Sequence, residues 1–210
     1  MMIVKKPNAK MLEETAKQLK RGAVVVYPTD TAYGLGCDAT NAKAVARIFQ
    51  IKGREAQKAL PVIVSDLKMA KKFFVLDAAV APLAARHWPG PFSIVVGAKK
   101  AIAKKVLSAG TAAVRVPDSE MARALSEYLG RPLVATSANL SGQPACYSLR
   151  SFMKQAAKMK TKPDIAIDAG ALRRRRPSTI VRIDESGEIE VLRKGPVKFD
   201  ISAKGVSASG

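Results

Sequence analysis

An α/β fold, with α+β as the alternative, is predicted for this chain, on three observations. Helix-like and strand-like segments alternate along its whole length. Several strand-like segments are short, continuously apolar runs, the pattern of strands covered on both faces. Loops rich in Gly, Ser and Thr follow the carboxyl ends of these runs, where open α/β sheets hold their ligands. No repeat or linker divides the 210 residues, so they read as one domain over 1–197 with a flexible tail at 198–210.

Taken in order, Asn8 caps a first helix that runs to about Arg21, with Met11, Leu12, Thr15, Ala16 and Leu19 on one face and Gly22 as its stop. "AVVVY" (23–27) is a central strand. Asn41 caps a second helix, with Val45, Ile48 and Phe49 as its apolar stripe. "ALPVIV" (59–64) is a strand weakened by Pro61. Ser65 opens a third helix through Met69, and a fourth spans Asp77 to His87, with Pro82 in its early turns where proline is tolerated. "WPGP" (88–91) is a turn. Strand "FSIVV", helix-like "AIAKKVL", strand "AAVRV", a helix over 118–129 and strand "PLVATS" follow. A helix near 148–159 leads to strand "DIAID", and "STIVRI" and "EIEVLR" flank the turn "DESG" as a terminal hairpin.

Composition narrows the function. Thirty-six Lys and Arg against seventeen Asp and Glu leave a net charge of +19, a field that attracts polyanions such as RNA, DNA or nucleotides. One histidine, His87, argues against most zinc sites and against a His-based triad, and it reads as a packing residue. Cys37 and Cys146 form no C-x-x-C pair, and the first ten residues lack the apolar core of a signal peptide. No apolar stretch is long enough to span a bilayer, so a cytoplasmic location is expected.

Four loops carry candidate chemistry. In "YPTDTAYGLG" (27–36), Thr29, Thr31 and Tyr33 offer hydroxyls, while Gly34 and Gly36 let backbone approach a ligand. "KGREAQK" concentrates Lys52, Arg54 and Lys58, either a solvated helix end or a phosphate pocket. In "AAVRVP", Arg115 interrupts an apolar run, and a buried arginine needs an anion, from a nearby carboxylate or a ligand, unless it projects from an edge strand. "VATSANLSGQP" crowds Thr136, Ser137, Asn139 and Ser141 after a strand, suited to a polar small molecule or to a cap and turn.

Read in order, "YPTDTAYGLG", "KGR", "WPGPFSIVV", "AAVRVP", "ATSANLSGQP" and "RPSTIVRI" resemble the YrdC/TsaC family, the L-threonylcarbamoyladenylate synthases, from about residue 10 to about 195. The resemblance implies a YrdC-like twisted mixed parallel/antiparallel sheet flanked by helices, with a large basic concave pocket. It implies synthesis of threonylcarbamoyl-AMP from L-threonine, bicarbonate and ATP with release of pyrophosphate, for a partner transferase that modifies adenosine 37 of tRNA. By position in the motifs, Lys52 and Arg54 are the implied catalytic residues. They join Lys58, Thr111, Ser137, Asn139 and Arg193 around ATP, and Thr31, Arg115 and Ser178 meet threonine. Mg²⁺ is expected with ATP, held by phosphates and water rather than by a protein cage.

This chain departs from the family pattern at Lys58 (often Asn), Ile63 (often His), Ala145 (often Ser) and Arg182 (usually Asp). "RRRRP" (173–177) reads as a phosphate-facing lid, an RNA-contacting surface or a solvated loop. Two competing readings stand beside the synthase. One is a basic RNA-binding protein of the same fold without synthase activity. The other is a carbamoyl-AMP domain of the hydrogenase-maturation kind, disfavoured because no acylphosphatase or zinc-finger region accompanies it.

Overall fold

Side-chain caps set the first two helix starts. Asn8 Oδ1 accepts from Met11 N, and α1 (Ala9–Lys20) buries Leu12, Thr15, Ala16 and Leu19 along one stripe. α2 (Ala42–Lys52) begins at Asn41, whose side chain accepts from Lys43 N and Ala44 N, and it ends at Gly53 in the left-handed region with φ +61. The computed structural model describes residues 1–5, 7–53, 59–99, 101–184 and 186–198. The remaining helices are α3 (Leu67–Phe73), α4 (Val80–His87), α5 (Glu120–Leu129) and α6 (Leu149–Ala156).

The described strands are β1 (Met2–Lys5), β2 (Val25–Pro28), β3 (Tyr33–Gly36), β4 (Val62–Ile63), β5 (Phe92–Gly97), β6 (Thr111–Arg115), β7 (Leu133–Val134), β8 (Thr136–Ser137), β9 (Ile165–Asp168), β10 (Thr179–Ile183) and β11 (Ile189–Arg193). They form two mixed sheets, ordered β1-β9-β2-β3-β8 and β11-β10-β5-β6-β4-β7. One apolar core includes Val26, Leu35, Ile48, Phe74, Phe92, Ile94, Val114 and Phe152. A second packs α1 against α5 through Leu12, Leu19, Leu125 and Leu129, over Tyr27, Ile63 and Leu133.

Several sequence expectations are corrected. "YPTDTAYGLG" is not a plain loop: β2 and β3 pair antiparallel, Val25 with Gly36 through Pro28 with Tyr33. Gly36 permits this, because a Cβ there would collide with Val134 O and come within 2.8 Å of the Tyr27 ring. "PLVATS" splits into β7 and β8, which join different sheets. "AIAKKVL" yields only a short 3-10 turn at Lys104–Val106. The third helix is capped by Asp66 and the fifth by Ser119, each one residue later than expected. β1 was not foreseen: a Met-Ile-Val-Lys segment reads as a strand only once β9 lies parallel beside it. The expected terminal tail lies outside the described residues apart from Lys198.

Candidate active site

A cavity of about 600 Å³ opens between the sheets, within the usual range of small-molecule sites. The first sheet lends it Tyr33, Gly34, Thr136 and Ser137; the second lends Ile63, Ser93, Thr111, Arg115 and Arg193. Six of the residues implied by the family resemblance therefore meet there: Thr31, Thr111, Arg115, Ser137, Ser178 and Arg193.

Arg115 is the last residue of β6, an interior strand between β5 and β4, so it does not project from an edge. Its Nη1 donates to Asp30 Oδ2 at 2.7 Å and to Gly90 O at 3.2 Å, and the Asp30 side chain is 1% exposed. The partner that a buried arginine requires is thus a carboxylate of the chain itself. Asp30 Oδ1 is sealed without a hydrogen-bond partner among the described residues. Nε and Nη2 of Arg115 have none there either, and they are not sealed, so this edge of the guanidinium is open to the cavity that Arg115 lines.

The β2–β3 turn is tied by Thr29, whose Oγ1 donates to Ala32 O at 2.7 Å and lies 3.1 Å from Thr31 Oγ1. At the other wall Arg193 Nε donates to Ser178 O at 2.8 Å and Nη2 to Ser178 Oγ at 2.7 Å. Ser178 Oγ lies 3.1 Å from Ser93 Oγ. Arg193 is held below the usual arginine range by desolvation and then by the Arg115 cation. Thr111 Oγ1 donates to Ser108 O at 2.8 Å.

Lys52 and Asn139 stand apart from this group. Lys52, at the end of α2, is 3% exposed and does not line the cavity. Its Nζ donates to Ser137 O at 2.7 Å and to Asn139 O at 3.1 Å, behind the cavity wall. Asn139 Nδ2 donates to Leu140 O and Gln143 O, bracing the same loop. Arg54 and Lys58 lie outside the described residues.

Sequence reasoning missed Ser93 as a cavity residue, offered Arg175 only within a stretch read as a phosphate-facing lid, an RNA-contacting surface or a solvated loop, noted Arg182 only as a departure from the family, and left Asp30 between orienting its loop and touching metal. The signal for Ser93 is one hydroxyl in the otherwise apolar run "FSIVV". Arg175 comes from the irregular stretch between β9 and β10, and Arg182 is paired with Glu190 on β11. Four arginines and no carboxylate are thus among the described residues that line the cavity.

The Sua5_yciO_yrdC family profile, described as telomere recombination, matches residues 17–195. The threonylcarbamoyl-AMP synthase of Chromobacterium violaceum is 35% identical over 87% of this chain and 93% of its own length. A putative threonylcarbamoyl-AMP synthase of Methanocaldococcus jannaschii is 32% identical over 93% of this chain and 90% of its own. Among solved structures, P. abyssi Sua5 complexed with L-threonine superposes with a TM-score of 0.82 at 31% identity, covering 92% of this chain; the chain spans 57% of that protein. E. coli YciO superposes at 0.80 with 25% identity over 94% of this chain and 96% of its own.

Proposed function

This chain belongs to the Sua5/YciO/YrdC family, and from that premise we propose that it makes L-threonylcarbamoyl-AMP from L-threonine, bicarbonate and ATP, releasing pyrophosphate. The observation that carries the reading is Arg115. Asp30 and Gly90 grip one nitrogen, and the other edge of the fork is left to the cavity, matched to a bidentate carboxylate. The α-carboxylate of threonine takes that edge, with Thr31 and Ser178 beside it.

The chemistry asks little covalent work of the protein. The neutral amine attacks bicarbonate, forming the carbamate and water. A carbamate oxygen then attacks the α-phosphorus of ATP and expels pyrophosphate. Both steps depend on positioning and on neutralising phosphate charge. Arg175, Arg182 and Arg193 supply that charge from the cavity wall, with Thr111 and Ser137 near the nucleoside. Asn139 and Lys52 act through the Ser137 loop rather than by direct contact, and Arg54 and Lys58 join the phosphate group. Mg²⁺ accompanies ATP in this scheme and neutralises phosphate charge. In this reading the ion would be held by phosphate oxygens and water.

The product is a mixed anhydride, and we assign its use to the transferase that modifies adenosine 37 of tRNA, in the cytoplasm. The exposed Arg173–Arg176 stretch beside the cavity is a surface for direct tRNA contact. No described helix is long and apolar enough to cross a membrane. The purely RNA-binding alternative is disfavoured by the 93% coverage of a curated synthase. The test is pyrophosphate release with ATP, bicarbonate and Mg²⁺, with and without L-threonine. Threonine dependence with threonylcarbamoyl-AMP seen by mass supports the reading; ATP binding without threonine dependence overturns it.

A further inference from the structure

Arg193 reaches the cavity through an irregularity in β11. β10 and β11 pair Ile180 with Arg193 and Val181 with Val191, so Leu192 is an extra residue between two rungs. Neighbouring side chains of a regular strand point to opposite faces, but this bulge turns both Leu192 and Arg193 to the cavity. β11 is also an end strand of its sheet, paired on one side only among the described residues. Left to itself, such a strand end frays.

The chain after Arg193 supplies the missing hold. It crosses the backbone of residues 177–179 at Gly195, where a Cβ would collide with Thr179 N, Pro177 O and the Ser178 carbonyl carbon. Beyond the crossing, Thr179 Oγ1 donates to Val197 O at 2.9 Å and accepts from Val197 N at 3.1 Å. One hydroxyl thus serves as both donor and acceptor, as a backbone pair does in a ladder. Thr179 is 1% exposed, pairs with Phe92 of β5, and donates its own N–H to Pro91 O at 2.9 Å. The segment after Arg193 is therefore fastened to an inner strand of the sheet. Thr179, Gly195 and Val197 are not among the described residues that line the cavity.

We infer that Thr179 is a positioning residue for Arg193, its hydroxyl latching Val197 so that the Gly195 crossing fixes the end of β11 from behind the cavity wall. This rests on the synthase reading, in which Arg193 meets the ATP phosphates. The latch leaves the guanidinium where its Nε and Nη2 donate to Ser178 O and Oγ, at 2.8 and 2.7 Å. Burial and the Arg115 cation both act against the charge of Arg193. Without a fixed frame, this side chain gains by swinging out to water. With the frame, its charge is in place before ATP arrives and needs no reorganisation during the reaction. Thr179 touches no reacting atom; it acts through the strand end that carries Arg193.

The experiment measures initial rates of pyrophosphate release, varying ATP and threonine in turn, for wild type, Thr179→Val and Thr179→Ser. Valine keeps the shape and removes both bonds; serine keeps the hydroxyl. The expected result for Thr179→Val is a kcat/KM for ATP lowered about tenfold or more, with the threonine KM changed less than about twofold. Thr179→Ser returns close to wild type. A merely structural role predicts a lower Tm with unchanged substrate constants, and that result overturns the latch, as does a parallel rise in both KM values. In the Arg193→Gln background, Thr179→Val adds no further loss if it acts through Arg193, and additive losses overturn the proposal. If Thr179→Val fails to fold, Val197→Pro, which removes the N–H that Thr179 Oγ1 accepts, carries the same predictions. A ligand-free arm reads the ¹⁵N-resolved Nε–H signal of Arg193, assigned by its loss in Arg193→Gln. A slowly exchanging signal in wild type that vanishes in Thr179→Val supports the latch; one that persists unchanged overturns it. If wild type shows no threonine-dependent pyrophosphate release, the synthase reading falls, and the ligand-free arm still decides the latch.

Discussion

Arg115 Nη1 meets Asp30 Oδ2 at 2.7 Å, while the other oxygen of the same carboxylate is sealed without a partner among the described residues. A buried ion pair is rarely the most stable arrangement of a core, and one with an orphaned oxygen is less so. What the pair achieves is direction. It ties the end of β6 to the β2–β3 turn and leaves the guanidinium edge facing the cavity.

Stability and threonine binding should therefore separate at this pair. Arg115→Ala leaves Asp30 charged and uncompensated, and is expected to lose about 3–5 kcal/mol of stability together with threonine binding. Arg115→Met combined with Asp30→Asn removes both charges and should regain most of that stability while binding no threonine. Urea midpoints and threonine titration calorimetry measure the two. A double variant that binds threonine like wild type would remove Arg115 from the site.

Lys52 leads to a different expectation from a pure phosphate ligand. Its Nζ bonds to Ser137 O and Asn139 O tie the end of α2 to the loop that carries Ser137 into the cavity. Hydrogen bonds from a charged donor are worth about 1.5–3 kcal/mol, so Lys52→Ala should lower stability by that order, before any substrate is present. ATP affinity falls as well, because the loop loosens. Chemical denaturation without ligand is the discriminating measurement: unchanged stability with lost ATP binding would return Lys52 to direct phosphate contact.

What could be read from the sequence followed local rules. Asn8 and Asn41 announced their helices because a cap is a bond within a few residues. Arg115 announced itself because a charge inside an apolar strand demands an anion. Long-range matters were hidden. Nothing near Met2–Lys5 reveals β9, 160 residues on, and nothing in "PTDT" says that Asp30, not a ligand, neutralises Arg115. Lys52 shows what a motif alone leaves out: its position in "KGR" suggested the cavity, and nothing nearby in sequence said that its Nζ would also bond the loop carrying Ser137. Ser93 looked like an ordinary polar residue in a strand until the chain brought Ser178 beside it.

Gly36 tests the hairpin that the sequence presented as a loop. A Cβ at this position meets the backbone oxygen of Val134 and the ring of buried Tyr27, neither of which can swing aside as a flexible side-chain end would. Gly36→Ala should therefore destabilise by about 1–3 kcal/mol, the range for overpacking a filled core. The neighbouring Tyr27 OH bond to Val134 O, at 3.2 Å, should be disturbed too. Thermal melts of Gly36→Ala beside Gly53→Ala separate crowding from backbone freedom. Among the described residues a Cβ at Gly53 meets nothing within 4 Å, and there only the left-handed φ is penalised.

Asp164 sets a pH dependence. Its Oδ2 accepts from Val24 N at 2.7 Å and from Arg47 Nη1 at 2.8 Å, joining the entry of β9 to β2 and α2. Burial alone would raise its pKa, but the Arg47 bond and then the Val24 N–H outweigh it and hold the group below its ordinary 3.8. A folded-state pKa below the unfolded one gives stability that is fully present above the unfolded value and is lost as pH falls through the folded one. The pair is 32% and 41% exposed, so screening limits it to about 1 kcal/mol. Asp164→Asn should thus lower Tm by about 2–4 °C at pH 7. The difference should shrink as pH falls below 4, where wild-type Asp164 also loses its charge. Added salt should remove the Arg47 share and leave the Val24 bond, so a gap that persists at high salt and closes only with acid is the expected signature. A gap unchanged between pH 7 and the acid limit would mean that the packing of Asp164, not its charge, holds β9 in place.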